Sequence, residues 1–199
     1  MNKLIQEFLK SGVEALPNST YGEGYRCSAY LSDGTYLPCV MLRKNDLVAA
    51  LAIRRFEQEK HGKGIFKSAN GYTEIVKNFV ASGNRVNYYD LSKIEFSRYA
   101  IPVSLLKQIE GETSMGWTGF VFEMKDGKLL SYGTTFGMEF FDMPSEYEFG
   151  DVVKVHNHSY VSPNGELKSL KHGMPKPEID YDRKTVLRER PYFICYHDA

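Results

Sequence analysis

The sequence has few cysteines, a single tryptophan and no long apolar run. Its three cysteines are an odd number without the spacing of a disulfide framework, which is typical of a reducing compartment. No apolar run approaches the roughly 20 residues that a membrane-spanning helix needs, and the first residues lack the apolar stretch of a secretory signal peptide. We therefore expect a cytoplasmic protein without a membrane association.

Net charge is also absent, because 25 Lys and Arg residues balance 25 Asp and Glu residues. Without a global positive field the chain has little to attract nucleic acid or an anionic membrane. Charge is nevertheless uneven locally. Residues 139–151 carry five acidic side chains and no Lys or Arg, whereas residues 183–190 are mainly basic. These stretches are either binding surfaces or solvated faces that pair with each other.

The glycines do not form a nucleotide-binding loop. Gly62-Lys63-Gly64 lacks the rest of the phosphate-loop pattern, and no other cluster has its spacing. The sequence therefore predicts no cofactor.

Three Asp-Gly or Asn-Gly pairs, each between two β-prone runs, are the strongest positive signal. They are Asp33-Gly34, Asp126-Gly127 and Asn164-Gly165. Such pairs favour two-residue type I′ turns, which fix both a hairpin and its register. We therefore predict an antiparallel sheet that is built from three short-turn hairpins.

Apolar residues at helical spacing predict about four helices, mostly in the N-terminal half. A short helix opens the chain, and three core helices are expected near residues 46–60, 72–82 and 102–110. The whole pattern predicts an α+β fold. We expect one domain over residues 1–199; the alternative is a helix-rich part, 1–111, followed by a β-rich part, 112–199.

His156 and His158 are candidate functional residues, because two residues that are two apart on a strand share a face. The predicted third register places Lys171 opposite His158, and a nearby ammonium opposes a metal cation. Zinc sites normally need three or four ligands, and no third one is evident. We therefore predict that the protein binds no metal. His156 and His158 are the residues that would be the ligands if it did.

The same histidines support a hydrolase as the alternative function. Glu112 and Asp142 are the carboxylates that would orient an imidazole or join it around a metal, and Glu110 could contribute to an acid–base pair.

The cysteines offer little chemistry. The first predicted register places Cys27 opposite Val40, so Cys27 and Cys39 lie on opposite sides of the ribbon and do not suit a disulfide. Cys195 shares a strand face with His197, and this pair is the best thiol candidate in the chain.

An acidic and aromatic segment is the candidate partner-binding surface. It contains Phe140, Phe141, Asp142, Glu146 and Tyr147, in a chain with 14 tyrosines. Tyrosine suits interfaces because it combines apolar area with a hydroxyl group. The alternative is a loop that packs against the core. Since no catalytic set is complete, we expect a protein that binds another macromolecule, a protein partner or a second copy, and not an enzyme.

Overall fold

The computed structural model describes residues 3–19, 22–61, 83–113, 117–134, 138–169 and 188–198. The chain divides into two compact units, the first made of Met1–Ser97 with Tyr192–Ala199 and the second of Arg98–Pro191. Gly111 lies inside the second unit. The fold is α+β with mostly antiparallel strands, as predicted. The helix expected near residues 72–82 lies outside the described residues.

The elements in the described residues are named in chain order. The helices are α1 (Lys3–Lys10), α2 (Asn45–Lys60) and α3 (Val103–Leu106), and two short 3₁₀ turns cover Tyr88–Asp90 and Phe149–Asp151. The strands are β1 (Ala15–Ser19), β2 (Gly22–Leu31), β3 (Tyr36–Lys44), β4 (Arg85–Asn87), β5 (Leu91–Phe96), β6 (Thr118–Met124), β7 (Leu129–Thr134), β8 (Val152–Asn157), β9 (Ser159–Val161), β10 (Leu167–Ser169) and β11 (Phe193–His197).

The first unit contains a curved six-stranded sheet. Its order is β1-β2-β3-β11-β4, and β5 pairs with β2 beyond the end of β1. Strand β11 runs parallel to β3 and β4, unlike the antiparallel pairs of the hairpins. Only Tyr88–Asp90 separates β4 on one edge from β5 on the other. Because this connection spans at most roughly 14 Å, the sheet must curl until its edges are close.

The inner face of this sheet forms the core of the first unit together with α1. Ile5 and Phe8 of α1 are buried against Cys27, Val40 and other apolar residues of the sheet. Apolar residues at helical spacing predicted this packing face of α1.

Helix α2 is less buried than its broad apolar surface suggested. Val48 and Leu51 are buried, whereas Ile53 is 64% exposed and Phe56 is 38% exposed. The expectation that residues 46–60 form a core helix was therefore wrong for the second half of the apolar face.

The second unit contains a three-stranded sheet in the order β7-β6-β8 and a separate β9-β10 ribbon. Aromatic residues dominate its core. The rings of Phe120 and Tyr132 stack with their centroids 4.8 Å apart, and the ring centroids of Phe122 and Phe141 are 5.1 Å apart. Helix α3 is shorter than the predicted 102–110, because residues 107–109 continue only as turns.

The three hairpins lie where the sequence predicted them, but their loops have three residues. In each loop the glycine alone has a positive φ, of 87° at Gly34, 83° at Gly127 and 79° at Gly165. A type I′ turn needs a positive φ at both central residues, so type I′ is excluded. A turn followed by a left-handed glycine is the usual three-residue solution. The Asp33 and Asp126 carboxylates support it by accepting hydrogen bonds from the main chain two residues later.

The longer loops shift the predicted registers by one residue. The third hairpin pairs Leu167 with Val161, where a two-residue loop would have paired it with Ser162. Lys171, the residue expected opposite His158, lies outside the described residues. In the first hairpin a bulge between Cys27 and Ala29 cancels the shift, so Cys27 does oppose Val40. Cys39, one residue before Val40, therefore faces the other side, and the cysteines are free.

Candidate functional site

The chain turns sharply at His158, between β8 and β9. His158 has a φ of 51°, the only positive φ of a non-glycine residue among the described residues. This left-handed residue ends the alternation of side chains that a continuous strand would have. Strand β8 pairs with β6, whereas β9 pairs with β10. The prediction that His156 and His158 share one strand face was therefore wrong.

His156 forms a close pair with Glu123 of the neighbouring strand. The imidazole Nε2–H donates to Glu123 Oε2 at 2.7 Å, and the His156 side chain is only 16% exposed. The register explains the contact: His156 opposes Val121, and Glu123 is the next residue of β6 on that face. The pair orients the ring, as a carboxylate does in acid–base catalysis.

His158 approaches a different carboxylate. Its Nε2 lies 3.9 Å from Glu110 Oε2, and that nitrogen is buried without a hydrogen-bond partner. Asn157 fixes this arrangement. Its amide donates to the Gln108 carbonyl at 2.9 Å and accepts from the Glu110 main-chain N–H at 3.0 Å. Asn157 thus anchors the segment after α3 to the end of β8.

The predicted carboxylates of the hydrolase hypothesis do not meet the histidines. Glu112 is exposed, and the ion pairs of His156 and His158 are with Glu123 and Glu110 instead. Asp142 pairs with Arg190, whose Nη1 lies 2.5 Å from Asp142 Oδ1. Within the described ranges there is no group of three or more His, Cys, Asp or Glu side chains that could hold a metal ion. The carboxylates that lie nearest to the two histidines are instead those of Glu123 and Glu110.

The aromatic half of the predicted binding segment is buried. Phe140 is 1% exposed and Phe141 is fully buried, so their rings belong to the core and not to a surface. Tyr147 and Glu146 lie nearer to solvent. The Tyr147 hydroxyl donates to Asp126 Oδ2 at 2.6 Å, and this bond is the main cause that raises the pKa of Tyr147 to about 12 and lowers that of Asp126.

A cleft of about 500 Å³ lies between the tips of the second and third hairpins. Residues 127–129, residues 161–163, Gly165 and Arg188 line it. The Arg188 guanidinium donates one hydrogen bond, from Nη1 to the Asp142 carbonyl at 3.3 Å. Its Nε is buried and makes no hydrogen bond with any residue that the structure describes. Burial lowers the pKa of Arg188, while the nearby Asp142 and Glu146 act in the opposite direction.

The thiols are not suited to nucleophilic chemistry. Burial raises the pKa of Cys195 to about 12 and also raises that of Cys27. A reactive cysteine needs a lowered pKa. His197 is buried beside Cys195 on β11, and neither of its ring nitrogens makes a hydrogen bond. Burial, followed by repulsion from Lys44, lowers the pKa of His197.

Comparison with protein-family models, curated proteins and solved structures finds no match. None of the described helices has both the length and the apolar character to cross a bilayer. Any function must therefore be inferred from the residues of the sites themselves.

Sequence reasoning missed Glu123 and Arg188. Alternation along β6 does place Glu123 on the face opposite Phe122, but the pairing of β6 with β8 joins residues about 30 positions apart and no turn signal marks it. Arg188 lies in the basic stretch that was recognised, although nothing in that stretch distinguishes it from its neighbours.

Proposed function

We propose that this is a cytosolic binding protein that holds a segment of a protein partner in the cleft between the second and third hairpin tips. The observation that carries the proposal is Arg188, a half-buried cation at the cleft with an unsatisfied Nε–H. A buried donor without an acceptor costs about 1–3 kcal/mol, which a carbonyl group of a bound segment would recover. The cleft volume lies within the range of about 300–1,000 Å³ that is common for binding sites.

The cleft lining itself carries the cations Lys128 and Arg188, and the acidic residues near Arg188 favour basic groups on the part of the segment that lies outside the cleft. Asp126 directly precedes Gly127 of the cleft wall, and its partner Tyr147 adjoins the exposed Glu146. Asp142 receives the Arg188 hydrogen bond through its main chain. The predicted surface residues Asp142, Glu146 and Tyr147 thus remain in the proposal, whereas the buried Phe140 and Phe141 do not. Lys or Arg side chains of the partner would lie near Glu146 and Asp126.

Site-specific photo-cross-linking tests this function. A photoreactive amino acid in place of Lys128, which lines the cleft, should capture a protein partner from cell extract. The same amino acid in place of Lys154, an exposed residue of β8, is the control and should not. For the partner so identified, Arg188→Gln should weaken binding about tenfold or more, since a hydrogen bond from a charged group contributes about 1.5–3 kcal/mol.

Matched variants make the result specific to the cleft. Glu146→Gln should weaken binding about two- to fivefold, as expected of an exposed ion pair, and Lys154→Gln should leave it unchanged. Equal capture from positions 128 and 154, or recovery of nucleic acid alone, would reject the proposal. Capture of a second copy of the chain would indicate a homo-oligomer, which light scattering would detect.

A hydrolase remains the second candidate function, favoured by one observation. The 2.7 Å contact with Glu123 orients His156, whose second ring nitrogen makes no hydrogen bond with another described residue. An oriented imidazole of this kind can act as a general base.

Hydrolysis of a panel of chromogenic carboxylic and phosphoric esters tests this candidate. His156→Asn and Glu123→Gln should each lower the rate at least a hundredfold, in line with the usual contribution of a general base. His61→Asn is the control, because His61 is an exposed histidine that also lies near a glutamate, Glu57, at 3.7 Å. If His156→Asn and His61→Asn have equal activity, His156 is not a catalytic residue.

A further inference from the structure

A second pocket lies in the first unit and shares no lining residue with the cleft of the proposed function. It has a volume of about 240 Å³ and lies between α2 and the strands β4 and β11. One face of α2 lines it, at positions i, i+3, i+4, i+7 and i+8 from Asn45 to Ile53. Arg85 of β4 and Tyr196 of β11 complete the wall. Apart from Asn45, Arg85 and the Tyr196 hydroxyl, the lining is apolar.

Arg85 is a cation that has no acceptor among the described residues. Its guanidinium carbon lies 4.8 Å from the centroid of the Tyr196 ring, a distance that allows a cation–π contact. The Nε and Nη2 atoms are both buried and neither makes a hydrogen bond. No salt bridge joins Arg85 to an acidic residue in the part of the chain that the structure describes. Two buried donors of a charged group are thus unsatisfied, which is costly unless a ligand supplies acceptors.

The two unsatisfied nitrogens belong to one edge of the guanidinium group. Nε–H and one Nη2–H point in parallel, which matches the two oxygens of a carboxylate in a bidentate pair. Among the described residues that line the pocket, Arg85 is the only cation, so one negative charge suits it better than the two of a phosphate group. Its apolar wall, including Val48, Ala52 and Ile53, suits a hydrocarbon group.

We propose that this pocket binds a small organic acid with an apolar tail. The carboxylate accepts two hydrogen bonds from Arg85 after the side chain turns its Nε–Nη2 edge into the pocket, and the tail packs on α2. At about 30 Å³ for each water-sized group, 240 Å³ admits a ligand of roughly eight non-hydrogen atoms. Hexanoate is of this size, and phenylacetate is a compact aromatic acid only slightly larger.

Titration of the ¹³C-methyl-alanine-labelled protein with defined probes tests the site. Phenylacetate should shift the methyl resonances of Ala49 and Ala52 and saturate, whereas phenylacetamide, its uncharged counterpart, should bind at least tenfold more weakly. Affinity should rise about fourfold for each methylene from propanoate to hexanoate, since burial of a methylene contributes that factor, and should fall for decanoate, which exceeds the pocket. Inorganic phosphate should cause no saturable shift.

Variants assign the binding to Arg85. Arg85→Gln should reduce phenylacetate affinity at least tenfold, whereas Arg54→Gln, the same change on the exposed side of α2, should leave it unaltered. If Arg85→Gln does not fold, Ala49→Leu serves instead, because it fills the pocket without a change of charge and should also abolish binding. Absence of saturable binding, equal binding of the amide, binding of phosphate at the same resonances, or full affinity in the variants that fold would each overturn the proposal.

Discussion

The indole ring of Trp117 occupies the space beside Gly133 that a side chain would need. A Cβ atom at Gly133 would lie 2.3 Å from Trp117 Cζ2, far inside van der Waals contact. Trp117 is buried, so it has little room to move. The pair lies at the open end of the β6–β7 hairpin, opposite its loop, where Gly133 pairs with Gly119.

Gly133→Ala should therefore destabilise the protein by about 1–3 kcal/mol, as overpacking of a core does. Urea unfolding measures the change. Trp117→Phe in the Gly133→Ala background should recover part of the loss, because the smaller ring leaves space for the methyl group. Gly150→Ala is the control, since nothing lies within 4 Å of its added Cβ. Equal effects at positions 133 and 150 would show that the contact with Trp117 is not the cause.

His158→Gly should be more stable than His158→Ala by about 1 kcal/mol, because the left-handed backbone at φ 51° disfavours any residue with a Cβ. Both variants lose the imidazole, so their difference isolates the backbone. At Lys154, in the middle of β8, the order should reverse, since glycine weakens a strand. Thermal or urea unfolding of the four variants measures their stabilities. If glycine and alanine have the same order of stability at both positions, the left-handed turn at His158 does not form.

The Tyr147–Asp126 hydrogen bond should make stability depend on pH at both extremes. The folded pKa of Tyr147 is about 12, above the ordinary value of 10.0. Its contribution is thus complete below pH 10 and is lost as the pH rises toward 12. The folded pKa of Asp126 is lowered, so its contribution is present above the ordinary value of 3.8 and is lost as the pH falls through the folded pKa.

Tyr147→Phe should flatten the alkaline decline of the unfolding free energy between pH 10 and 12. Tyr36→Phe is the control, because the Tyr36 hydroxyl makes no hydrogen bond with a described residue, and it should keep the wild-type slope. NMR titration of ¹³Cζ-labelled tyrosine would give the pKa of Tyr147 directly. A value near 10 would show that the bond to Asp126 does not form in solution.

The three cysteines should be unreactive in the folded protein. At pH 8 a thiol with a pKa of about 12, such as Cys195, is ionised in only about one molecule in 10,000. Cys27 and Cys39 are buried as well. Ellman's reagent should therefore label none of them on a timescale that labels all three in urea. Rapid labelling of one native thiol would show that its surroundings are more open or more polar than described.

Local sequence information determined the class of fold and the places where the chain reverses. An Asp-Gly or Asn-Gly pair occupies each of the three hairpin tips, because few other residue pairs accept the backbone conformation of a tight turn. Apolar spacing predicted a short helix at the start of the chain and located α2 within a residue, because a helix buries one side of a local repeat. These features depend on neighbours in the chain, which a sequence displays directly.

The loop lengths were decided by tertiary structure. Asp33, Asp126 and Asn164 tolerate a positive φ but do not adopt one, and a single left-handed glycine completes each turn. A loop that is one residue longer shifts the register by one, and each side chain then pairs on the opposite face of the sheet from the one predicted. In the first hairpin the bulge between Cys27 and Ala29 restores the predicted register, and no local feature of the sequence predicts this bulge.

The candidate sites were likewise assembled by contacts between distant residues. The carboxylate beside His156 belongs to Glu123 because β6 pairs with β8, and Arg85 meets Tyr196 because β11 inserts between β3 and β4. Such pairings are selected by the burial of whole sheet faces, not by the residues that end up in the sites. The sequence therefore identified the histidines as candidates, and only the tertiary structure decided which carboxylates reach them and which cations are left without one.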